Sequence, residues 1–180
     1  PIYLKDVFDK IDLSEIKIFI DILLLARERG ATIFFMGNGG SAATASHFAN
    51  DLAFGTNEYI KPFKAMSITD NMPVITALSN DYGYDEIFIR QLKIYGTKGD
   101  VLVGISASGN SENLIKAFKY AATSEIKTVA LTAFDGGIMR EIADQGIHIP
   151  TNMNEYGPAE DLHMVLDHLI GGYLMRLVKK

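Results

Sequence analysis

Apolar residues fall in two rhythms along the chain. Over LSEIKIFIDILLLARER, Leu13–Arg29, they recur at helical spacing, and Gly30 stands where a helix would stop. The segment is apolar on more than one side: Ile16, Ile18, Phe19, Ile20, Ile22, Leu23, Leu24 and Leu25 exceed a single stripe. A helix of that kind is buried on two faces, here against another subunit. Short apolar runs then predict strands at Thr32–Met36, Ala65–Ile68, Val101–Ile105, Thr128–Leu131 and Ile147–Ile149. Helical spacing fills Ala42–Leu52, Met72–Leu78, Asp85–Tyr95, Glu112–Thr123, Ile138–Ala143 and Ala159–Val178. YIKPF and TNMNEYGP read as loops. Strands alternating with helices imply an α/β fold with a parallel sheet covered on both faces. Five strands suit a doubly wound, flavodoxin-like layout.

The chain has 180 residues, 48% of them hydrophobic, enough for one well-buried core. We expect a single domain over 1–180: a helical segment at 1–30, an α/β core at 31–150, and a loop and C-terminal helix at 151–180. A net charge of -5, with no Lys/Arg cluster, argues against nucleic acid as a partner. The absence of cysteine excludes disulfides and thiolate metal sites and fits a cytoplasmic protein. No apolar run is long enough for a membrane span, and the opening PIYLKDVFDKIDLSE is too charged for a signal peptide. A chain opening on Pro1 is compatible with trimming.

Two predicted strand ends carry unusual chemistry. In FFMGNGGSAATA, Gly37, Gly39 and Gly40 permit a tight turn, and a helix begins near Ser41 with free N–H groups that favour an anion. In VLVGISASGNSENLIKAF, Ser106, Ser108 and Ser111 surround Gly109, again before a helix. Hydroxyls and helix N–H groups can wrap a phosphate without Lys or Arg. The plain alternative is two ordinary turns, with Ser111 an N-cap. No Gly-Lys-Ser/Thr element is present, and no acidic residue follows a second strand as a ribose contact requires, so no nucleotide cofactor is expected. His47 and Asp51 are one helical turn apart, as are His163 and Asp167; the plain reading of both is a surface pair. His148, in a strand beside a proline, is expected to be structural. Leu162, Val165, Leu166, Leu169, Ile170 and Leu174 form a stripe for the core or a subunit interface, and Gly171–Gly172 suit a close helix crossing.

GNGGSAATASHFANDL together with GISASGNSENLIKA resembles the sugar isomerase (SIS) domain family and, within it, the phosphoheptose isomerases. SNDYGYDEIFIRQL, GDVLVGIS, ALTAFDGG and AEDLHMVLDHL follow in family order, so the resemblance covers nearly the whole chain. It implies a homotetramer with shared active sites that interconverts sedoheptulose 7-phosphate and D-glycero-D-manno-heptose 7-phosphate through an enediol. The resemblance places the sugar phosphate on Asn38, Gly39, Gly40 and Ser41, and its phosphate on Ser106, Ser108 and Ser111. Ala107 stands where the family commonly has a hydroxyl, and Asn80 and Asp81 match sugar contacts. The catalytic pair falls on Asp51 and His168, a zinc site on His47, Asp51, Glu160 and His168, and Glu160 is a substrate contact as well. Three positions depart from the family: Asp51 replaces Glu, Glu160 replaces Gln, and Gly55 replaces an Arg, leaving Lys61 or Lys64 to supply the cation. Glu160 and His168 are eight residues apart, a rise of roughly 12 Å, far for two ligands of one ion unless the side chains lean together, the helix starts later or different subunits supply them. Other SIS-domain roles are a hexulose-phosphate isomerase, a phosphosugar sensor and a scaffold that binds a replication initiator. The pathway that the resemblance implies is lipopolysaccharide or capsule heptose synthesis.

Overall fold

A computed structural model describes residues 2–179. Five strands, β1 (Thr32–Gly37), β2 (Lys64–Ser67), β3 (Val101–Ser106), β4 (Lys127–Ala133) and β5 (Gln145–Ile149), form one parallel sheet in the order β2-β1-β3-β4-β5. This is the flavodoxin-like order expected of the alternating pattern. The helices are α1 (Ile2–Phe8), α2 (Leu13–Arg29), α3 (Gly40–Asn50), α4 (Met72–Tyr82), α5 (Ile87–Tyr95), α6 (Glu112–Thr123), α7 (Gly137–Ile142) and α8 (Tyr156–Val178). A π-helical turn at Asp51–Gly55 continues α3, and a 3-10 turn at Tyr84–Glu86 leads into α5.

The two faces of the sheet explain the unbroken apolar runs. Ile33 and Phe35 of β1 join one core cluster with Phe48, Leu52 and Leu166, while Phe34 and Met36 join another with Leu114 and Phe118. All of β3 is buried. Each fully buried side chain of this size contributes about 1.5–3 kcal/mol. Phe48 packs between Phe35 (ring centroids 5.0 Å) and Phe19 (5.9 Å, edge-on), which fixes the rotation of α3 about its own axis. That rotation sets where His47 and Asp51 point.

Three expectations need correction at their edges. α1 lies in a stretch too charged and short to show a period. α8 begins at Tyr156, not Ala159, because Gly157 and Pro158 fall in its first turn, where a proline lacks no needed bond. The helix expected to end at Leu52 passes instead into the π turn. On α8, Leu162, Leu166, Ile170 and Leu174 are buried, whereas Val165 and Leu169 are exposed in the single chain. On α2, Leu13, Ile18 and Leu25 are likewise exposed. Among the described residues no helix is long and apolar enough to cross a membrane.

Candidate functional site

Both glycine- and serine-rich loops lie at the carboxyl edge of neighbouring strands, β1 and β3. They line a single cavity of about 290 Å³ with Asn38, Gly39, Gly40, Ser41, Ile105, Ser106, Ala107, Ser108, Ser111, Tyr156 and Glu160. No lysine or arginine lines it. The N-termini of α3 and α6 both open there, so the positive field comes from helix N–H groups.

The serines have distinct hydrogen bonding. Ser106 Oγ accepts the Gly109 N–H (3.1 Å) and Ser108 Oγ accepts the Asn110 N–H (3.3 Å). A hydroxyl whose lone pair is so used keeps its own proton to donate. Ser111 sits at the N-cap position of α6, yet its side chain makes no capping bond. The plain N-cap alternative therefore fails, and this hydroxyl is uncommitted. Gly109 holds φ +63°, and a Cβ there would overlap the Gly136 carbonyl, so no other residue fits this turn. Asn38 is locked by reciprocal 2.9 Å bonds with Asn113 and by a 2.8 Å bond from the Tyr84 hydroxyl.

The other end of α3 carries a second group. His47, Asp51, Asp167 and His168 offer ligand atoms that all lie within 4.8 Å of one another. His47 Nε2 is 3.1 Å from His168 Nε2, 3.6 Å from Asp51 Oδ2 and 3.9 Å from Asp167 Oδ2. The sequence expectation that His47 and Asp51 share a face is met, and His168 joins them from α8 of the same chain. Tetrahedral zinc, with bonds of about 2.0–2.1 Å, spaces its ligands about 3.3 Å apart, so the four residues fit such an ion. Both oxygens of Asp167 are buried and unpartnered among the described residues. Burial, and then the neighbouring Asp51 carboxylate, pushes Asp167 up to about 7.

Several expected members lie elsewhere. Glu160 is not part of the four-residue group: its carboxylate rests against Gly40, where a Cβ would overlap it, and it lines the serine cavity. Asn80 and Asp81 stand exposed on α4, bonded to each other (2.9 Å), away from the lining. Neither candidate cation lines the serine cavity of its own chain. Lys61 pairs with Glu28, and Lys64 opens β2 with its ammonium beside Gly30. Gly55 stands beside Asp51 with no side chain to offer. Gly171 lets α8 pass close to Asp51, as a close crossing requires, whereas Gly172 faces only Arg176. His148 is in β5, its Nδ1 3.2 Å from Thr132 Oγ1, and burial, then the Arg140 charge, lowers it to about 4.

Two site residues escape sequence reasoning. Tyr156, in a segment that reads as loop, packs edge-on against Phe134 (5.0 Å) and walls the cavity. Asp167 pairs by spacing with His163 as a surface couple, yet both are fully buried. The available signal is their place one position after Leu162 and Leu166, on the core side of α8.

The comparisons with known proteins agree with this geometry. The SIS domain family model matches residues 3–133. Phosphoheptose isomerase from Helicobacter pylori is 37% identical over 151 residues, covering 84% of this chain and 78% of its own. The Aliarcobacter butzleri phosphoheptose isomerase is 40% identical over 143 residues, covering 79% and 75%. The solved phosphoheptose isomerase of Neisseria gonorrhoeae superposes with a TM-score of 0.85 at 33% identity, covering 95% of this chain and 90% of that one.

Proposed function

The chain belongs to the SIS-domain family, and from that premise we propose that it is a phosphoheptose isomerase-like aldose–ketose isomerase acting on sedoheptulose 7-phosphate. The single observation that carries the assignment is the pairing on one helix. A cation-free hydroxyl cradle opens at the start of α3, and a carboxylate–imidazole group closes its end. Ser41 and His47 are six residues apart, about 9 Å along the axis. An extended seven-carbon chain with bonds of about 1.5 Å covers a comparable span.

Ser41, Ser106, Ser108 and Ser111 donate to the phosphate, and Asn38, Gly39 and Gly40 bring backbone close to the sugar. Ala107 leaves that wall one donor short of the usual family pattern. With the phosphate held, C1 and C2 reach the far group. Asp51 takes a proton from C1, giving an enediol, and the proton returns to C2. His168 moves the hydroxyl proton from O1 to O2, so the ketose becomes the aldose with no net gain or loss of atoms. A Zn²⁺ held by His47, Asp51, His168 and one further carboxylate would polarise the two reacting oxygens.

We read residues 1–180 as one domain working as a homotetramer with shared sites. The apolar residues that a single chain leaves bare support it, among them Ile60 (98% exposed) and Phe54 (69%). We place it in the cytoplasm, in heptose synthesis for lipopolysaccharide or capsule. The test is incubation with sedoheptulose 7-phosphate, with and without zinc, following aldose phosphate. Turnover is expected, and Asp51→Asn should lower it by about 100-fold or more while phosphosugar binding persists. Tight binding without turnover in the parent protein, or an unimpaired Asp51→Asn variant, would refute the proposal.

A further inference from the structure

We infer that α8 divides two tasks between two carboxylates. Asp167 supplies the fourth metal donor, and Glu160 belongs to the phosphosugar cavity. The two are seven residues apart, two turns or roughly 10 Å of helix, and Glu160 lies outside the group formed by His47, Asp51, Asp167 and His168. Asp167 is at the right end. Its Oδ2 is 3.9 Å from His47 Nε2, and it precedes His168 directly. It is fully buried, and neither oxygen has a hydrogen-bond partner among the described residues. A buried carboxylate that meets no N–H or O–H takes a proton or a cation, and here the ligand atoms of His47, Asp51 and His168 stand within 4.8 Å of it, a set that favours the cation.

Asp51 makes the second carboxylate useful. Its side chain is short, and Gly171, one turn beyond Asp167, leaves Asp51 and Asp167 as neighbours across the helix crossing. Glu160 has the opposite surroundings. Its carboxylate lies against Gly40, at the start of α3, among Ser41, Ser106, Ser108 and Ser111. There it holds the anion-favouring helix end in the ligand-free protein and opposes an incoming phosphate by like charge.

This division rests on the metal reading given above, and the experiment separates the two. Chelator-treated protein is titrated with Co²⁺, whose visible absorption reports tetrahedral coordination, and with Zn²⁺ against a chromophoric competitor. Inorganic phosphate binding is measured by calorimetry. Asp167→Asn and Asp167→Leu should weaken both metals by more than about 100-fold, beyond the effect usual for outer contacts, with phosphate binding kept. Glu160→Gln should leave metal affinity within about threefold and tighten phosphate by about fivefold or more. Thermal melting of the metal-free variants establishes that each is folded. Metal lost in Glu160→Gln and kept in both Asp167 variants would overturn the division while sparing the metal reading. A parent protein that takes up neither metal would overturn both.

Discussion

Acid should unfold this protein partly through one imidazole. His163 of α8 is fully buried, and burial lowers it from the ordinary 6.5 to about 4. Its ring nitrogens make no well-formed hydrogen bond among the described residues, and the Thr132 backbone, which favours the charged form, is outweighed by burial. A depressed folded value means that the unfolded chain binds the proton first. The stability from keeping the ring neutral is complete above 6.5 and drains away as pH falls towards 4. At pH 5 the chain has crossed about 1.5 pH units of that window, a loss of about 2 kcal/mol. For a domain of this size that lowers the melting temperature by roughly 4–8 °C. His148 is lowered in the same direction. Asp167 works oppositely: its folded value is raised to about 7, so it gains stability as pH falls from 7 towards 3.8. The total curve therefore mixes signs, and a difference isolates His163. Urea unfolding of metal-free parent and His163→Leu, at pH 7 and pH 5, should show a drop about 2 kcal/mol smaller in the variant. Equal drops, or a His163 ring that titrates near 6.5 by NMR, would refute the reasoning.

Two more outcomes concern the serine loop. Ser108→Ala removes one hydroxyl donor to a charged group, a loss of about 1.5–3 kcal/mol, so the KM for the sugar phosphate should rise at least tenfold with kcat largely kept; steady-state kinetics decide it. Gly109→Ala forces a Cβ into the Gly136 carbonyl at a left-handed φ, and should cost more than about 1 kcal/mol in urea unfolding and abolish phosphate binding seen by calorimetry.

The sheet was legible because its strands are buried on both faces. Runs such as VLVGIS have no polar alternation to hide them, and the helices between them fix parallel order. That the glycine- and serine-rich loops would share one cavity was legible because both follow neighbouring strands and both precede a helix. The hidden features depend on azimuth rather than order. ANDLAFG reads as more α-helix, but the π turn adds residues to one turn and redirects the chain beyond Asp51. Spacing puts Glu160 and His168 roughly 12 Å apart along a helix, yet it could not show that Asp167 comes within 3.9 Å of His47. Asp167 has the period of a surface pair with His163 until the depth of α8 is known.

The same helix shows why function here opposes stability. α8 sets His163 and Asp167 one turn apart in a region where Leu162, Leu166 and Ile170 would favour more apolar neighbours. Neither polar side chain finds a partner among the described residues, and a buried group without one costs about 1–3 kcal/mol. Large apolar residues at both positions would strengthen the core. They would also close the space beside Asp51 that Gly55 and Gly171 leave open, and remove a buried carboxylate facing two imidazoles. Phe48, held between Phe19 and Phe35, keeps α3 from rotating away from that group. A helix free to turn would relieve the crowding of charge and lose the alignment between the serine cavity and the carboxylate–imidazole group. The aromatic anchor thus counters the local cost, and it does so on the face of α3 that is buried in the core.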